Sequence, residues 1–163
     1  MIKVGVITLS DKGSRGERED KSGQVIKEMM AQIGGELAYY RVIADDLELI
    51  KEQLLYCCDD LKLNLVLTTG GTGFSPRDNT PDATLAVIDK EAPGIAEAMR
   101  LESLRITPKA MLSRAVAGIR KSTLIINLPG SPKGVRECLA VVLPALPHGL
   151  EILSGAGGEC GQD

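Results

Sequence analysis

The sequence predicts a three-layer α/β/α sandwich with a mainly parallel sheet carrying an antiparallel hairpin strand, and two observations predict it. Short apolar runs alternate with stretches whose apolar residues recur every three or four positions, the pattern of buried strands joined by amphipathic crossover helices. Near the end, Ala115 to Arg120 and Thr123 to Leu128 are strand-like runs separated only by Lys121 and Ser122. That gap fits a tight hairpin and is too short for a crossover.

Lys3 to Leu9 reads as a buried strand, and Asp11 to Asp20 as a polar, charge-dense loop with glycines at Gly13 and Gly16. From about Lys21 to Ile33, residues Val25, Ile26, Met29, Met30 and Ile33 share one helix face, and Gly34-Gly35 closes the helix. Leu37 to Ile43 is a second strand. Leu47, Ile50, Leu54 and Leu55 mark a helix from Leu47 to about Cys58, and Leu63 to Thr69 is the third strand. Thr80-Pro81-Asp82 reads as a helix start, with Thr80 as N-cap, Pro81 at the first helical position and Asp82 against the helix dipole. Helical pattern runs to Lys90, stops near Pro93-Gly94 and resumes from Ile95 to about Leu104. After the hairpin, Pro129 to Pro132 ends the last strand, and a final helical region from Gly134 to about Leu153 is interrupted by Pro144 and Pro147.

The 163 residues suit one domain, residues 1–154, followed by a flexible tail, 155–163, that lacks bulky apolar residues. Hydrophobic residues make up 44% of the chain, yet Phe74, Tyr39, Tyr40 and Tyr56 are its only aromatics, so aliphatic side chains must fill the core. Few stacking platforms and a net charge of −3 argue against a nucleic-acid partner. Cys57, Cys58, Cys138 and Cys160 show no C-x-x-C spacing and read as reduced thiols. With no leader-like start and no apolar run long enough to span a bilayer, the expectation is a cytoplasmic protein with no membrane partner.

The functional signal is concentrated in Leu65 to Ala83, LVLTTGGTGFSPRDNTPDA, where a buried strand ends in a glycine-rich turn carrying a carboxylate. Gly70, Gly71 and Gly73 permit positive φ and close approach of backbone N–H groups to an anion. Taken alone they equally suit a tight turn, since GGTG is neither the phosphate-loop nor the dinucleotide fingerprint. Convergence decides the matter: right-handed crossovers bring Ser10-Asp11, Asp45, Thr69 to Asp78 and Pro129 to Lys133 to one rim. Asp78 has no capping role to explain it, whereas Asp45-Asp46 by itself also reads as a turn and helix cap.

Gly130 and Ser131 can help the glycine loop hold phosphate oxygens. A carboxylate at ~4 Å from a phosphate charge repels it by about 1 to 4 kcal/mol, so a cation must intervene. Mg²⁺ fits, because it takes a few carboxylates plus phosphate oxygens and water. A carboxylate can alternatively accept two hydrogen bonds from a heterocycle's N–H edge, and Asp45 and Asp78 divide these roles. His148, the only histidine, reads as structural, and no nucleophile with its base is visible. The chemistry indicated is phosphoryl or nucleotidyl transfer by positioning and metal electrostatics. Lys12, Arg15 and Arg18 form either a solvated surface or a lid over a triphosphate, while Arg77 and Lys133 stand nearer the rim.

Thr68 to Gly73, Arg77 to Ala83, Leu112-Ser-Arg114 and Asn127 to Lys133, together with Ser10-Asp11, resemble the MogA/MoaB family of molybdenum cofactor biosynthesis proteins over about residues 3 to 153. The resemblance implies a molybdopterin adenylyltransferase that uses Mg²⁺ and ATP to place AMP on the terminal phosphate of molybdopterin, releasing pyrophosphate. It assigns Asp45 and Asp78 as catalytic and metal-binding. It places Ser10, Asp11, Thr69, Gly70, Gly71, Thr72, Gly73, Gly130 and Ser131 around the bound molecules. It further implies a homo-oligomer, a trimer or a hexamer. The alternative within the same fold is a non-catalytic molybdopterin carrier, and a third reading is the molybdate-insertion domain of the superfamily.

Overall fold

A computed structural model describes residues 1–155. Its strands are β1 (Ile2–Leu9), β2 (Gly35–Ile43), β3 (Leu65–Thr69), β4 (Lys90–Glu91), β5 (Ala117–Arg120) and β6 (Thr123–Leu128). Its helices are α1 (Asp11–Ser14), α2 (Lys21–Ala31), α3 (Leu47–Leu55), α4 (Thr80–Val87), α5 (Pro93–Leu104), α6 (Pro132–Val142) and α7 (Leu146–Leu153). The strands form one sheet in the order β2-β1-β3-β6-β5-β4. The first four of that order run parallel, β5 is antiparallel to β6, as the hairpin spacing requires, and β4 pairs antiparallel with β5 and so returns to the common direction. Lys121 turns the hairpin with φ 52°.

Alternation along the strands makes two cores. Val4, Val6, Leu65, Leu67 and Ile126 face Ile26, Met29, Met99, Val135 and Leu139, so α2, α5 and α6 cover one side. Ile7, Leu9, Val66 and Ile125 face Ile50, Leu54, Ala83 and Val87 of α3 and α4 on the other. Strands buried on both faces must read as unbroken apolar runs, which explains their appearance in the sequence. Register fixes the rim: Leu9 lies level with Ile43, Thr8 with Thr69, and Thr69 with Leu128.

The structure departs from the sequence expectation at several places. Part of the Asp11 to Asp20 loop forms α1, because Ser10 Oγ accepts the Gly13 N–H at 2.9 Å and caps a single turn. The helix expected to reach Lys90 stops at Val87. Lys90-Glu91 instead joins the sheet, flanked by hydrogen bonds from Asp89 N to Ile119 O and from Ala92 N to Ala117 O. Thr80 is not the cap of α4. Asn79 occupies that position, and Thr80 Oγ1 donates to Gly70 O at 2.9 Å, tying helix to glycine loop. Beyond α3 a π-helical turn, Tyr56–Asp60, buries both Cys57 and Cys58, and burial pushes their thiols up to about 12 and about 11. The final helical region divides at a 3₁₀ turn, Leu143–Ala145, containing Pro144. Apart from Gly155, the expected tail lies outside the described residues, as does Cys160.

Asn127 joins three elements from a fully buried position. Its amide donates to Thr68 Oγ1 and Thr84 Oγ1, each at 3.0 Å, and accepts the Val116 N–H at 3.2 Å. Asn127→Leu strands those partners, so we expect a stability loss of about 2 kcal/mol and a Tm lower by roughly 5 °C, measured by thermal unfolding.

Candidate functional site

A cavity of about 890 Å³ opens at the rim, lined by Ser10, Asp11, Asp45, Thr69, Gly70, Gly71, Asp78, Gly130 and Ser131 among others. Thus nine residues singled out in the sequence meet in one place. Thr72 and Gly73 do not line it. They face a second cavity of about 530 Å³ on the far side of the glycine loop, and Ser131 borders both.

The wall between them is backbone packed too closely for side chains. At Gly70, φ is +98° and an added Cβ would stand 2.5 Å from Leu9 O. At Gly71, with φ +69°, a Cβ would strike Thr80 Oγ1 and lie 3.0 Å from Asp45 Oδ1. Cross-braces hold the wall: Thr69 Oγ1 donates to Pro129 O at 2.6 Å, and Ser22 Oγ to Gly130 O at 2.8 Å. Gly70 N–H is committed to Leu128 O, so Gly70 supplies shape. The N–H groups of Gly71, Thr72 and Gly73 have no hydrogen-bond partner among the described residues and remain for an anion.

Three carboxylates crowd this loop, each in a different state. Asp11 takes a two-pronged contact from Arg77, at 3.1 and 2.8 Å, and accepts the Asp45 N–H at 3.0 Å. These contacts, the Arg77 hydrogen bonds foremost, hold the Asp11 carboxyl below its ordinary pKa. Asp45 is compensated only in part, by the Asp11 backbone and Arg77, and its buried Oδ1 lacks any hydrogen-bond partner. Burial pushes its carboxyl upward, and the neighbouring Asp11 and Asp78 charges push the same way. The cap suggested for Asp45-Asp46 belongs to Asp46, which accepts the Leu49 N–H, leaving Asp45 for the site. Asp78 does have a local partner, since its Oδ2 accepts the Ser75 N–H at 3.0 Å.

A side chain that sequence reasoning did not place is Arg114. It donates to Gly73 O and Asp78 O at 2.9 and 2.7 Å and pairs with Asp82, clamping loop to helix. Its only sequence signal was membership of the Leu-Ser-Arg motif. Of the early cations, Lys12 and Arg18 line the first cavity, whereas Arg15 pairs with Glu17. His148 lines neither cavity.

The second cavity has apolar walls from Met99, Ile106 and Leu112, with polar groups at Arg100, Ser113, Asn127 and Lys133. Of its lining, sequence reasoning had picked out Thr72, Gly73 and Ser131 for the site and Lys133 near the rim, but not Met99, Arg100 or Ile106. Arg100 is anchored by Ser113 O and Ala115 O at 3.1 and 2.8 Å. Such a slot suits a flat heterocycle with hydrogen-bonding edges.

An orphaned buried carboxylate oxygen beside free N–H groups is suited to an anion and a hard cation together. Among the described residues, no three acidic, histidine or cysteine side chains form a complete metal cage. Mg²⁺ needs none, since it is held by one or two carboxylates with phosphate oxygens and water.

Fold and rim together define an α/β protein with a polar cavity at its parallel strand ends and a more apolar one beside it. Comparison with known proteins gives the family. Residues 5–148 match the family described as the probable molybdopterin binding domain, and the chain belongs to it. It is 46% identical over 156 residues to a molybdopterin adenylyltransferase of Helicobacter pylori strain ATCC 700392 / 26695, covering 94% of this chain and 89% of that protein. Identity to the molybdopterin adenylyltransferase of Escherichia coli K12 is 44%, covering 88% and 75%. The crystal structure of the molybdopterin biosynthesis enzyme MoaB from Thermus thermophilus superposes with a TM-score of 0.90 at 53% identity, covering 95% and 98%.

Because ionised Asp45 is half-buried, with Oδ1 enclosed and two like charges nearby, removing its charge should relieve the folded state. A carboxyl whose folded pKa is raised destabilises the fold above that pKa and ceases to do so as pH falls through it. Asp45→Asn is therefore expected to gain on the order of 1 kcal/mol at pH 7, with the gain vanishing toward acid pH. Chemical denaturation at the two pH values measures this.

Proposed function

We infer that the chain is a molybdopterin adenylyltransferase, transferring AMP from ATP to the terminal phosphate of molybdopterin with release of pyrophosphate. The observation that carries the reading is the thin wall shared by two cavities, Gly70 and Gly71 lining one, Thr72 and Gly73 the other, and Ser131 both. Group transfer between two phosphorylated substrates needs such adjoining sites.

In this reading ATP occupies the first cavity and the pterin the second, its ring between Met99 and Ile106 and its polar edge toward Ser113 and Asn127. Gly71, Thr72 and Gly73 N–H groups receive phosphate oxygens at the junction, where donors fixed by Arg114 and Thr80 need no rearrangement. Asp45 and Asp78 would hold Mg²⁺. When bound, Mg²⁺ supplies charge neutralisation on the reacting phosphates. The incoming nucleophile is a phosphate oxygen already ionised at neutral pH, so no protein base is required. That accounts for a site without histidine or an activated thiol.

Self-association as a homotrimer, with the hexamer as a further assembly, is supported by an exposed apolar strip: Leu101, Leu104, Ile106, Met111 and Leu112. It borders the second cavity, to which Ile106 and Leu112 contribute. A cytoplasmic location is supported by the free thiols of Cys57, Cys58 and Cys138. Among the described residues no helix is long and apolar enough to cross a membrane.

Incubation with ATP, Mg²⁺ and molybdopterin should yield adenylylated pterin and pyrophosphate in equal amounts. Tight pterin retention without turnover would instead identify the carrier. Asp45→Asn and Asp78→Asn should each lower turnover at least about 100-fold, the scale for losing a major electrostatic contribution. The raised Asp45 pKa also places the acid limb of the rate profile above the ordinary carboxylate value of about 3.9, because protonated Asp45 cannot hold the cation. Met111→Glu with Leu101→Glu should reduce the mass measured by light scattering to that of the monomer.

A further inference from the structure

We propose that Lys12, Arg18 and Lys21 form a subsite for the departing pyrophosphate, on the β1–β2 side of the first cavity. The proposal rests on the adenylyl-transfer reading and adds where the leaving group goes.

Sheet order supplies the direction. The glycine loop follows the central strand β3. The second cavity lies toward β6 and β5, being lined by Asn127, Ala115 and residues of α5 and α6. Lys12, Arg18 and Lys21 lie on the opposite side, on α1, the segment after it and the first turn of α2, which pack beside β1 and β2. Displacement at the α-phosphorus is in line. The pterin phosphate oxygen forms its new P–O bond from the second cavity. The bond from the α-phosphorus to the bridging oxygen then breaks on the far face, and its electron pair leaves with pyrophosphate. The product carries a new phosphoanhydride link, and pyrophosphate is expelled toward Lys12, Arg18 and Lys21.

Charge leads to the same place. Around the glycine loop stand Asp11, Asp45 and Asp78, and both neighbouring guanidiniums are engaged, Arg77 by Asp11 and Arg114 by Asp82 and the loop carbonyls. The protein's own side chains there carry mostly negative charge, so side-chain cations for the leaving group's outer phosphates must come from elsewhere in the cavity. Lys12, Arg18 and Lys21 make no ion pair with any carboxylate of the described residues, although Glu19 and Asp20 line the same cavity. Asp20 is occupied otherwise: one oxygen caps Gly23 N–H, and the other accepts Thr8 Oγ1 and Tyr40 Oη. It thereby anchors the segment on which the cations stand. At 890 Å³ the cavity is within the range that takes whole ligands, about 300–1,000 Å³.

The test compares ATP, pyrophosphate and AMP binding to wild type, Lys12→Ala, Arg18→Ala and Lys21→Ala by calorimetry. AMP lacks the two phosphates the subsite would hold. Each variant should bind ATP and pyrophosphate about tenfold more weakly, the scale of one lost charge-assisted contact, with AMP affinity and Tm unchanged. KM for ATP should rise, and Arg18→Lys should recover part of the loss. Equal weakening of AMP and pyrophosphate, or no weakening of either ATP or pyrophosphate, overturns the subsite. If wild type binds neither ATP nor AMP, adenylyl transfer itself fails, and the subsite fails with it.

Discussion

Contact between bare backbones at the sheet edge is the constraint on which the rest depends. Leu9 O, Gly70 and Gly130 come together where β1, β3 and β6 end, and at Gly70 a Cβ would have to displace the Leu9 carbonyl. Three consequences follow from that proximity. The strand ends stay level, so their loops share a rim. The glycine loop becomes a thin partition with binding space on both sides. The N–H groups of Gly71, Thr72 and Gly73 stay unpaired because the sheet's own hydrogen bonding ends at Gly70, whose N–H goes to Leu128 O. A side chain at Gly70 would push the loop from the sheet and merge two specialised cavities into one cleft.

Around that partition the protein accepts electrostatic stress. A carboxylate oxygen without a partner is normally eliminated from a fold, because burial without hydrogen bonds costs more than an exposed charge. Here Asp11 makes matters worse for Asp45 while itself enjoying Arg77. The stress is confined by structure that carries no ligand role: Arg114 ties Gly73 and Asp78 to α4, Thr80 holds Gly70 from the same helix, and Asp46 caps α3 next to Asp45. Stable scaffolding around an unstable carboxylate is the arrangement expected where function opposes stability.

Much of this was legible in the sequence, for physical reasons that differ by residue. The parallel strands announce themselves as apolar runs because both faces are buried, and Lys121-Ser122 can only be a hairpin turn. The rim residues followed from topology, since crossover handedness fixes which strand ends coincide. β4 was hidden because two residues carry no periodicity, and its pairing is decided by the neighbouring β5. Thr80 misled because a hydroxyl before Pro looks the same whether it caps its own helix or reaches a loop ten residues back. Asp45 and Asp46 were inseparable by type, and only the direction of each side chain assigns one to the cap and the other to the cavity. The second cavity left the faintest trace, because its walls are scattered over α5, the turn after it and α6, where Met99 and Ser103 look like an ordinary helix face.

That scattering also explains how one glycine loop can serve two chemically different ligands. Sites on a single loop share one environment, and a polar loop cannot present an apolar slot. By standing edge-on between sheet ends and α5, the loop inherits a different opposite wall on each side: charged segments on the β1–β2 side, and Met99, Ile106 and Leu112 on the other. A polyphosphate on the charged side is surrounded by polar groups and water, while a heterocycle on the apolar side gains by leaving water. Each ligand would be poorly placed in the other's cavity. In the proposed reading discrimination would therefore arise from the walls, and the loop would contribute donors for what both ligands have in common, a phosphate group. A reaction joining two phosphates needs both to arrive at the same few donors from opposite directions, and a one-residue-thick partition is the simplest backbone arrangement that permits it.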